Sequence, residues 1–218
     1  MNSKHKAIIF DLDGTLLNSL TDLANAVNRV LSKHNFPIHE INAYRYFIGD
    51  GAKMLISRAL PEQQRNDQLI AECLDEFKND YEQNWHVAST LYPGIPEMLT
   101  NLNERGIKMA VLSNKPHEFT LYSVEYFLSE WKFEVVLGQQ PAFPQKPHPA
   151  GALMIAEKMQ LSPAAFCYAG DSGVDMQTAA ASAMFSIGVL WGYRPAQELK
   201  SNGANVLVKT PAEIPEFC

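Results

Sequence analysis

Ala7-Ile8-Ile9-Phe10-Asp11-Leu12-Asp13-Gly14-Thr15 decides how this chain is read. The first four residues form an uninterrupted apolar run, which predicts a strand buried on both faces of a parallel sheet. Two carboxylates two residues apart follow it, just ahead of a glycine. In open α/β sheets, ligands gather at the carboxyl ends of the strands. An aspartate pair there can hold a hard cation, and one of the pair can attack phosphorus. Taken alone, the segment also reads as a capped turn, because Asp and Gly are ordinary turn residues. A calcium loop fits less well: Gly14 stands two positions too early, and position twelve counted from Asp11 is Asp22 where glutamate is needed.

The surrounding chain separates into two kinds of sequence. Residues 16–86 read as all-helical. Leu20, Leu23, Val27, Val30 and Leu31 recur at helical spacing, and further helices are predicted over 52–60, stopped by Pro61, and over 67–81. Nothing in this segment alternates like a strand. From about Leu91 onward, helices and strands take turns. Helices are predicted over 96–105, capped by Gly106, and over 118–127, 149–159 and 174–183. Strands are predicted over 107–112, 133–137, 165–169 and 185–190. This alternation implies a parallel sheet, which the strand at 7–10 must join. The expected fold is therefore α/β: a doubly wound, Rossmann-like parallel sheet with an inserted all-helical cap. The core comprises 1–15 and 87–218, and the cap 16–86. The crossings lie just after Thr15 and near Tyr92-Pro93-Gly94, and an insertion so placed can act as a lid.

Composition narrows the function. The chain has 218 residues, 46% hydrophobic, enough for a substantial core. Its net charge of −6 argues against a nucleic-acid partner. It does not exclude an anionic substrate, since a bound cation can reverse the field inside a pocket. No apolar segment approaches membrane-spanning length, and the polar start Met1-Asn2-Ser3-Lys4-His5-Lys6 lacks a signal-peptide core. Cys73, Cys167 and Cys218 are isolated and odd in number, neither a disulfide framework nor a zinc pattern. Cys167 reads as a core residue, and a reducing cytoplasm is the expected compartment. The six histidines show no metal-ligand spacing, and His148 reads as a surface or helix-start residue.

Three more segments fall on the sheet edge that carries Asp11 if the strands are parallel. They are Ser113-Asn114 after one strand, Lys146-Pro147 at the mouth of a helix, and Gly170-Asp171-Ser172-Gly173-Val174-Asp175 after another strand. One hydroxyl, one ammonium and four carboxylates would converge. That set suits phosphoryl transfer, which needs positioning and charge neutralisation above all. Asp11, expected to be ionised at neutral pH without help, would be the nucleophile. Mg²⁺ held by Asp11 and Asp171 would bridge it to the phosphate. Lys146 would neutralise a second face, and Ser113 with neighbouring backbone N–H groups would hold a phosphoryl oxygen. Asp13 would carry protons to the leaving alcohol and from the attacking water, a role for a carboxyl that an enclosed site full of carboxylates would keep protonated. Asp175 has two readings, a helix-dipole residue or a group that supports the metal or Lys146.

With these blocks in this order, the chain resembles the phosphatases of the haloacid dehalogenase superfamily. The resemblance implies Asp11 as nucleophile and Asp13 as acid/base. It also implies Ser113, Asn114 and Lys146 as phosphate ligands, and Asp11, Asp171 and the Asp13 backbone carbonyl as Mg²⁺ ligands. An Asp at position 13 favours ester hydrolysis over the superfamily's other reactions. Within the superfamily the chain is most similar to the phosphoglycolate phosphatase group, through Ile48-Gly49-Asp50-Gly51-Ala52, Leu91-Tyr92-Pro93-Gly94, Ser113-Asn114-Lys115-Pro116 and Gly192-Tyr193. The cap residues Gly49, Asp50, Gly51 and Lys53 are the candidates for specificity. That group usually has Asn where this chain has Asp50, and an added carboxylate would disfavour an acidic substrate unless Lys53 or Arg58 offsets it. Both of those also read as solvated helix-face residues. The expected activity is Mg²⁺-dependent hydrolysis of a small phosphorylated metabolite. The alternatives are a phosphomutase of the same fold and, from another class, a non-catalytic binding protein.

Overall fold

The apolar run at 7–10 forms a strand with all four residues buried. A computed structural model of the chain describes residues 5–218. The reading of the polar N-terminus falls largely on Met1–Lys4, which lie outside the described residues. The chain runs β1 (Ala7–Phe10), β2 (Leu17–Asn18), α1 (Leu20–Lys33), α2 (Ala52–Ala59), α3 (Asp67–Asn84) and β3 (Thr90–Leu91). It continues through α4 (Ile95–Glu104), β4 (Lys108–Pro116), α5 (His117–Phe127), β5 (Phe133–Gln139) and α6 (Ala150–Lys158). It then passes through β6 (Phe166–Gly170), α7 (Gly173–Ala181), β7 (Phe185–Val189), α8 (Ala196–Ser201) and β8 (Val206–Val208). Among the described residues, no helix is long and apolar enough to cross a membrane.

Six strands form a parallel sheet in the order β5-β4-β1-β6-β7-β8. The chain builds outward from β1 on one side, through β4 and β5, then crosses over and builds outward on the other. β1 therefore sits at the topological switch, where the flanking connections diverge and leave a crevice at the carboxyl edge. Alternating side chains serve two cores. Ile8, Phe10, Met109, Val111, Cys167 and Ala169 pack with α4. Ala7, Ile9, Ala110, Leu112, Phe166 and Tyr168 pack on the other face with α6. Burial on both faces explains why these strands read as continuous apolar runs.

The helices α1, α2 and α3 share a third core built on Val27, Val30, Leu31, Ile56, Phe77 and Tyr81. Phe119 of α5 and Tyr193 join this core, so the helical layer is seated on the sheet's carboxyl edge. One expectation needs correction. The segment after Thr15 does contain a strand: β2 pairs antiparallel with β3, Leu17 opposite Leu91 and Asn18 opposite Thr90. Two residues are too few to show a period in sequence. The pairing places both chain crossings side by side. β4 also runs further than expected, to Pro116, so Ser113-Asn114 lies on the extension of a strand with an irregular register and not in a simple turn.

Asp22 fastens this crossing. Buried on α1, it accepts from the Ala88 N–H (2.9 Å), the Ser89 N–H (2.8 Å) and the Ser89 hydroxyl (2.7 Å). Asp22→Ala would leave buried donors without an acceptor, at about 1–3 kcal/mol each. Urea denaturation should show a loss of at least about 2 kcal/mol; an unchanged midpoint would mean that the two-stranded ribbon alone holds the crossing.

Candidate active site

Asp11 continues the line of β1, its N–H donating to the Ala169 carbonyl of β6 (2.9 Å). The chain then tightens, with the N–H groups of Leu16 and Leu17 donating back to the Leu12 carbonyl (3.0 and 2.9 Å). Gly14 makes this turn possible, at φ +88°, a conformation that L side chains resist. A β-carbon on Gly14 would also run into the Asp171 carboxylate. From the opposite side Gly192 presses on the same side chain. Asp171 is thus held between two backbones, accepting from the Tyr193 N–H (2.7 Å) and the Thr15 hydroxyl (3.3 Å).

Asp11, Asp171 and Asp175, all buried, bring carboxylate oxygens within 4.8 Å of one another. One ammonium faces them. Lys146 Nζ lies 2.9 Å from Asp11 Oδ1 and 2.7 Å from Asp175 Oδ1. The Leu12 N–H also donates to Asp11 Oδ1 (2.7 Å), which fixes the rotation of that carboxyl. Asp175 is engaged through both of its oxygens. Its Oδ2 accepts from the Ser172 N–H (3.1 Å) and hydroxyl (2.6 Å) in a capping box that starts α7, while its Oδ1 orients Lys146.

Three buried carboxylates against one ammonium leave excess negative charge. Burial, and then the Asp175 carboxylate, push Asp11 well above the ordinary carboxylate range despite the pull of Lys146. Burial and Asp175 likewise raise Asp171, to about 7. For Lys146 burial works against the charge, but Asp11 and Asp175 outweigh it and hold the ammonium above its ordinary value. The raised value at Asp11 runs against the expected ionisation without help, and a further cation beside it would favour the charged form. A divalent cation beside Asp11 and Asp171 would supply the missing positive charge, so the donor set fits one.

Asp13 does not belong to that cluster. Both its oxygens accept from the Lys115 ammonium (3.1 Å each), and Oδ1 also accepts from the Ser19 hydroxyl (2.6 Å). The crowd of carboxylates expected around Asp13 is instead an ammonium and a hydroxyl. Lys115 also donates to the hydroxyl of Tyr81 on α3 (2.8 Å). Burial raises that hydroxyl to about 12. Burial opposes the charge on Lys115, but Asp13 and then Tyr81 hold its pKa above the ordinary lysine value. Lys115, Ser19 and Tyr81 were not singled out from sequence as site residues. Only Lys115 left a trace, as part of the quoted Ser113-Asn114-Lys115-Pro116.

Ser113 is buried at this edge, its hydroxyl accepting from the Lys115 N–H (3.2 Å). Asn114 stands differently from a phosphate donor. Its amide donates to the Gly49 carbonyl (2.9 Å) and the Lys146 carbonyl (3.0 Å), and its Oδ1 accepts from the Lys146 N–H (2.9 Å). Both amide hydrogens are engaged, so the side chain ties the Lys146 backbone to the helical layer, and only the main chain of Asn114 is left for a ligand.

Above Asp11 and Asp13 lies a cavity of about 50 Å³. Gly49 and Gly51 line it, along with Leu23, Leu55, Phe77 and Phe119. Asp50 and Lys53 are not among its lining residues; Asp50 pairs with Arg58 (2.5 Å) and Lys53 with Asp67 (3.2 Å). The carboxylate that would have disfavoured an acidic substrate is thus neutralised outside the chamber, by Arg58, which had also read as a solvated helix-face residue. Reciprocal arginines tie the segment after β7 to the helical layer. Arg45 donates to the carbonyls of Gly192 (2.5 Å) and Tyr193 (3.1 Å), and Arg194 donates to those of Arg45 and of Ile48 (2.9 Å).

The haloacid dehalogenase-like hydrolase family model matches residues 8–189. The chain belongs to this family. It is 37% identical over 199 residues to a phosphoglycolate phosphatase of Mannheimia succiniciproducens, covering 88% of this chain and 89% of that protein. It is 32% identical over 217 residues to a phosphoglycolate phosphatase of Vibrio parahaemolyticus, covering 97% and 95%. The crystal structure of a predicted phosphoglycolate phosphatase from Haemophilus somnus superposes with a TM-score of 0.90 at 28% identity, covering 100% of this chain and 99% of that one.

The raised value at Asp171 sets a pH signature. A carboxyl of ordinary pKa about 4 in the unfolded chain, raised in the folded one, favours folding when protonated. The cation-free protein should lose that stability as pH rises from about 4 toward about 7. A divalent cation would take the proton's place. Added Mg²⁺ should therefore raise the melting temperature more at about pH 8 than at about pH 5; an equal or larger rise at the lower pH would contradict it.

Proposed function

We propose that this member of the family is a Mg²⁺-dependent phosphomonoester hydrolase working through an aspartyl-phosphate on Asp11, with phosphoglycolate as its substrate and the cytoplasm as its compartment. The observation that carries the reading is the Lys146 ammonium, shared by Asp11 and Asp175 beside buried Asp171 at the sheet's switch point. That is a site for an anion to be brought against a carboxylate. The names of the relatives support the choice of substrate. They likewise favour hydrolysis over the phosphomutase alternative.

Each residue has a step. Lys146 and the Ser113 region bind non-bridging phosphoryl oxygens, so that a dianion can approach Asp11. Asp11 attacks phosphorus in line with the departing ester oxygen, and the bond from phosphorus to that oxygen breaks. Asp13 takes up a proton before attack and gives it to the departing alcohol; the carboxylate so formed takes a proton from the water that attacks the aspartyl-phosphate, releasing phosphate and restoring Asp11 and the protonated Asp13. Asp11, Asp171 and the Asp13 carbonyl would hold Mg²⁺, which neutralises charge between carboxylate and phosphate when bound. Asp175 and Asn114 keep Lys146 in place. We assign residues 16–86 as the lid that closes over this chemistry.

Asp11→Asn keeps the shape of the side chain and removes the nucleophile. Its kcat on p-nitrophenyl phosphate with Mg²⁺ should fall at least about 10³-fold, and near wild-type turnover would reject the covalent route. EDTA should abolish wild-type turnover and excess Mg²⁺ should restore it; turnover indifferent to chelation would remove the metal from the proposal.

A further inference from the structure

Lys115 is the one cation among the described residues that line the chamber. Lys146 is engaged by Asp11 and Asp175 in the phosphoryl pocket, and Arg58 and Lys53 pair with Asp50 and Asp67 outside. The Lys115 side chain is only 4% exposed, yet it carries a full charge against apolar walls. Its partners are the two Asp13 oxygens at 3.1 Å and the Tyr81 hydroxyl at 2.8 Å, with its ammonium 4.8 Å from the centre of the Tyr81 ring. A buried lysine needs a counter-ion. Here that counter-ion is a residue whose proposed work is to face the ester oxygen.

We infer that Lys115 is the specificity-determining residue, and that it recognises a carboxylate on the leaving group of the substrate. The inference rests on the phosphatase reading above and adds what selects the ester. The Asp13 carboxylate stands on Lys115 where the substrate's own carboxylate binds. An incoming carboxylate takes over part of the ammonium, and this exchange frees an Asp13 oxygen to meet the ester oxygen. The spacing follows from the same contacts. Asp13 must touch the ester oxygen, and Lys115 Nζ is in contact with both Asp13 oxygens, so the second anion sits a few atoms from the phosphorus-bound oxygen. A phosphorylated 2-hydroxy acid, with one carbon between ester oxygen and carboxylate, has that spacing. The hydrocarbon walls at Leu23, Leu55, Phe77 and Phe119 give a carboxylate no other cationic partner among the described lining residues. Tyr81, from the helical layer, keeps the ammonium aimed into the chamber.

The test compares kcat/KM for phosphoglycolate with kcat/KM for ethyl phosphate, which has the same chain length without the carboxylate. Wild-type protein should prefer phosphoglycolate by about 10²-fold or more. Lys115→Gln keeps a donor toward Asp13 but lacks the charge, and should collapse that ratio to within about threefold of unity. Lys115→Met should do the same, and Lys115→Arg should retain most of the preference. A residue that only supported Asp13 would lower both substrates in parallel and leave the ratio untouched, and that result would overturn the inference. Equal wild-type rates on the two esters would overturn it too, while leaving the phosphatase reading intact. Failure to hydrolyse either ester or p-nitrophenyl phosphate would reject the phosphatase reading itself. Glycolate inhibition of p-nitrophenyl phosphate hydrolysis gives a binding readout for each variant; inhibition in Lys115→Gln as strong as in wild type would also count against Lys115.

Discussion

The organising constraint of this molecule is the meeting of three buried carboxylates with one ammonium at the end of β1. Asp11, Asp171 and Asp175 come from two separate parts of the chain, and Lys146 from a third. Their like charges oppose close approach and burial opposes charge at all, so the packing that holds them together must work against both. Most of the local sequence around the site serves that purpose. Gly14 and Gly192 allow two backbones to close on Asp171. Ser172 satisfies one side of Asp175, and Asn114 grips the backbone of Lys146. What the cluster still lacks is positive charge, which a divalent cation beside Asp11 and Asp171 would supply.

The parallel sheet makes this arrangement affordable in structural terms. Because β1 is central and covered on both faces, Asp11 sits at the end of a rigid element and not on a mobile loop. The strand order diverges around β1, so β4 and β6 bring Ser113 and Asp171 to its two flanks. The helical layer then closes the top. Its two crossings pair as a short antiparallel ribbon, and Asp22 ties α1 to the returning strand. The layer needs this attachment because its own core is completed by Phe119 and Tyr193 from the sheet side.

How much of this could be read from sequence depended on whether the signal was local. The apolar run at 7–10, the alternation after Leu91 and the helical spacing of Leu20, Leu23 and Val27 are local, and each matches an observed element. The ribbon at Leu17–Asn18 is two residues long and carries no period. β8, at Val206–Val208, is nearly as short and was not expected. The carboxylates and Lys146 were legible because they stand at strand ends or at a helix mouth, where topology alone determines convergence. The direction of a side chain is another matter. Sequence offers both Lys53 and Arg58 against Asp50 without choosing between them, and nothing at Asn114 indicates that its amide is engaged by Gly49 and Lys146. The contacts of Lys115 cross from β4 to α3 and to the turn after β1, distances of 34 and 102 residues along the chain. Such pairings leave no period or spacing to read.

These long-range contacts also explain how closure and chemistry are joined. The segment from Trp191 to Arg194 touches the turn after β1, Asp171 and the helical layer. Trp191 donates to the Thr15 carbonyl (2.9 Å), the Tyr193 N–H holds Asp171, and the Tyr193 hydroxyl lies 3.3 Å from the Ser19 hydroxyl that donates to Asp13. Gly192, Tyr193 and Arg194 also meet Arg45 and Ile48 of the helical layer through the reciprocal arginines. A displacement of the helical layer would therefore be felt at Asp171 through one backbone N–H and at Asp13 through one hydroxyl pair. Lys115 adds a second route, since Tyr81 of α3 shares its ammonium with Asp13. Asp171 and Asp13 are thus each one or two hydrogen bonds away from the helical layer. On the proposed reading, a helical layer that moves to admit an ester would carry Tyr81 and the Arg45 contacts with it, so closure and the placing of Asp13 would be one event.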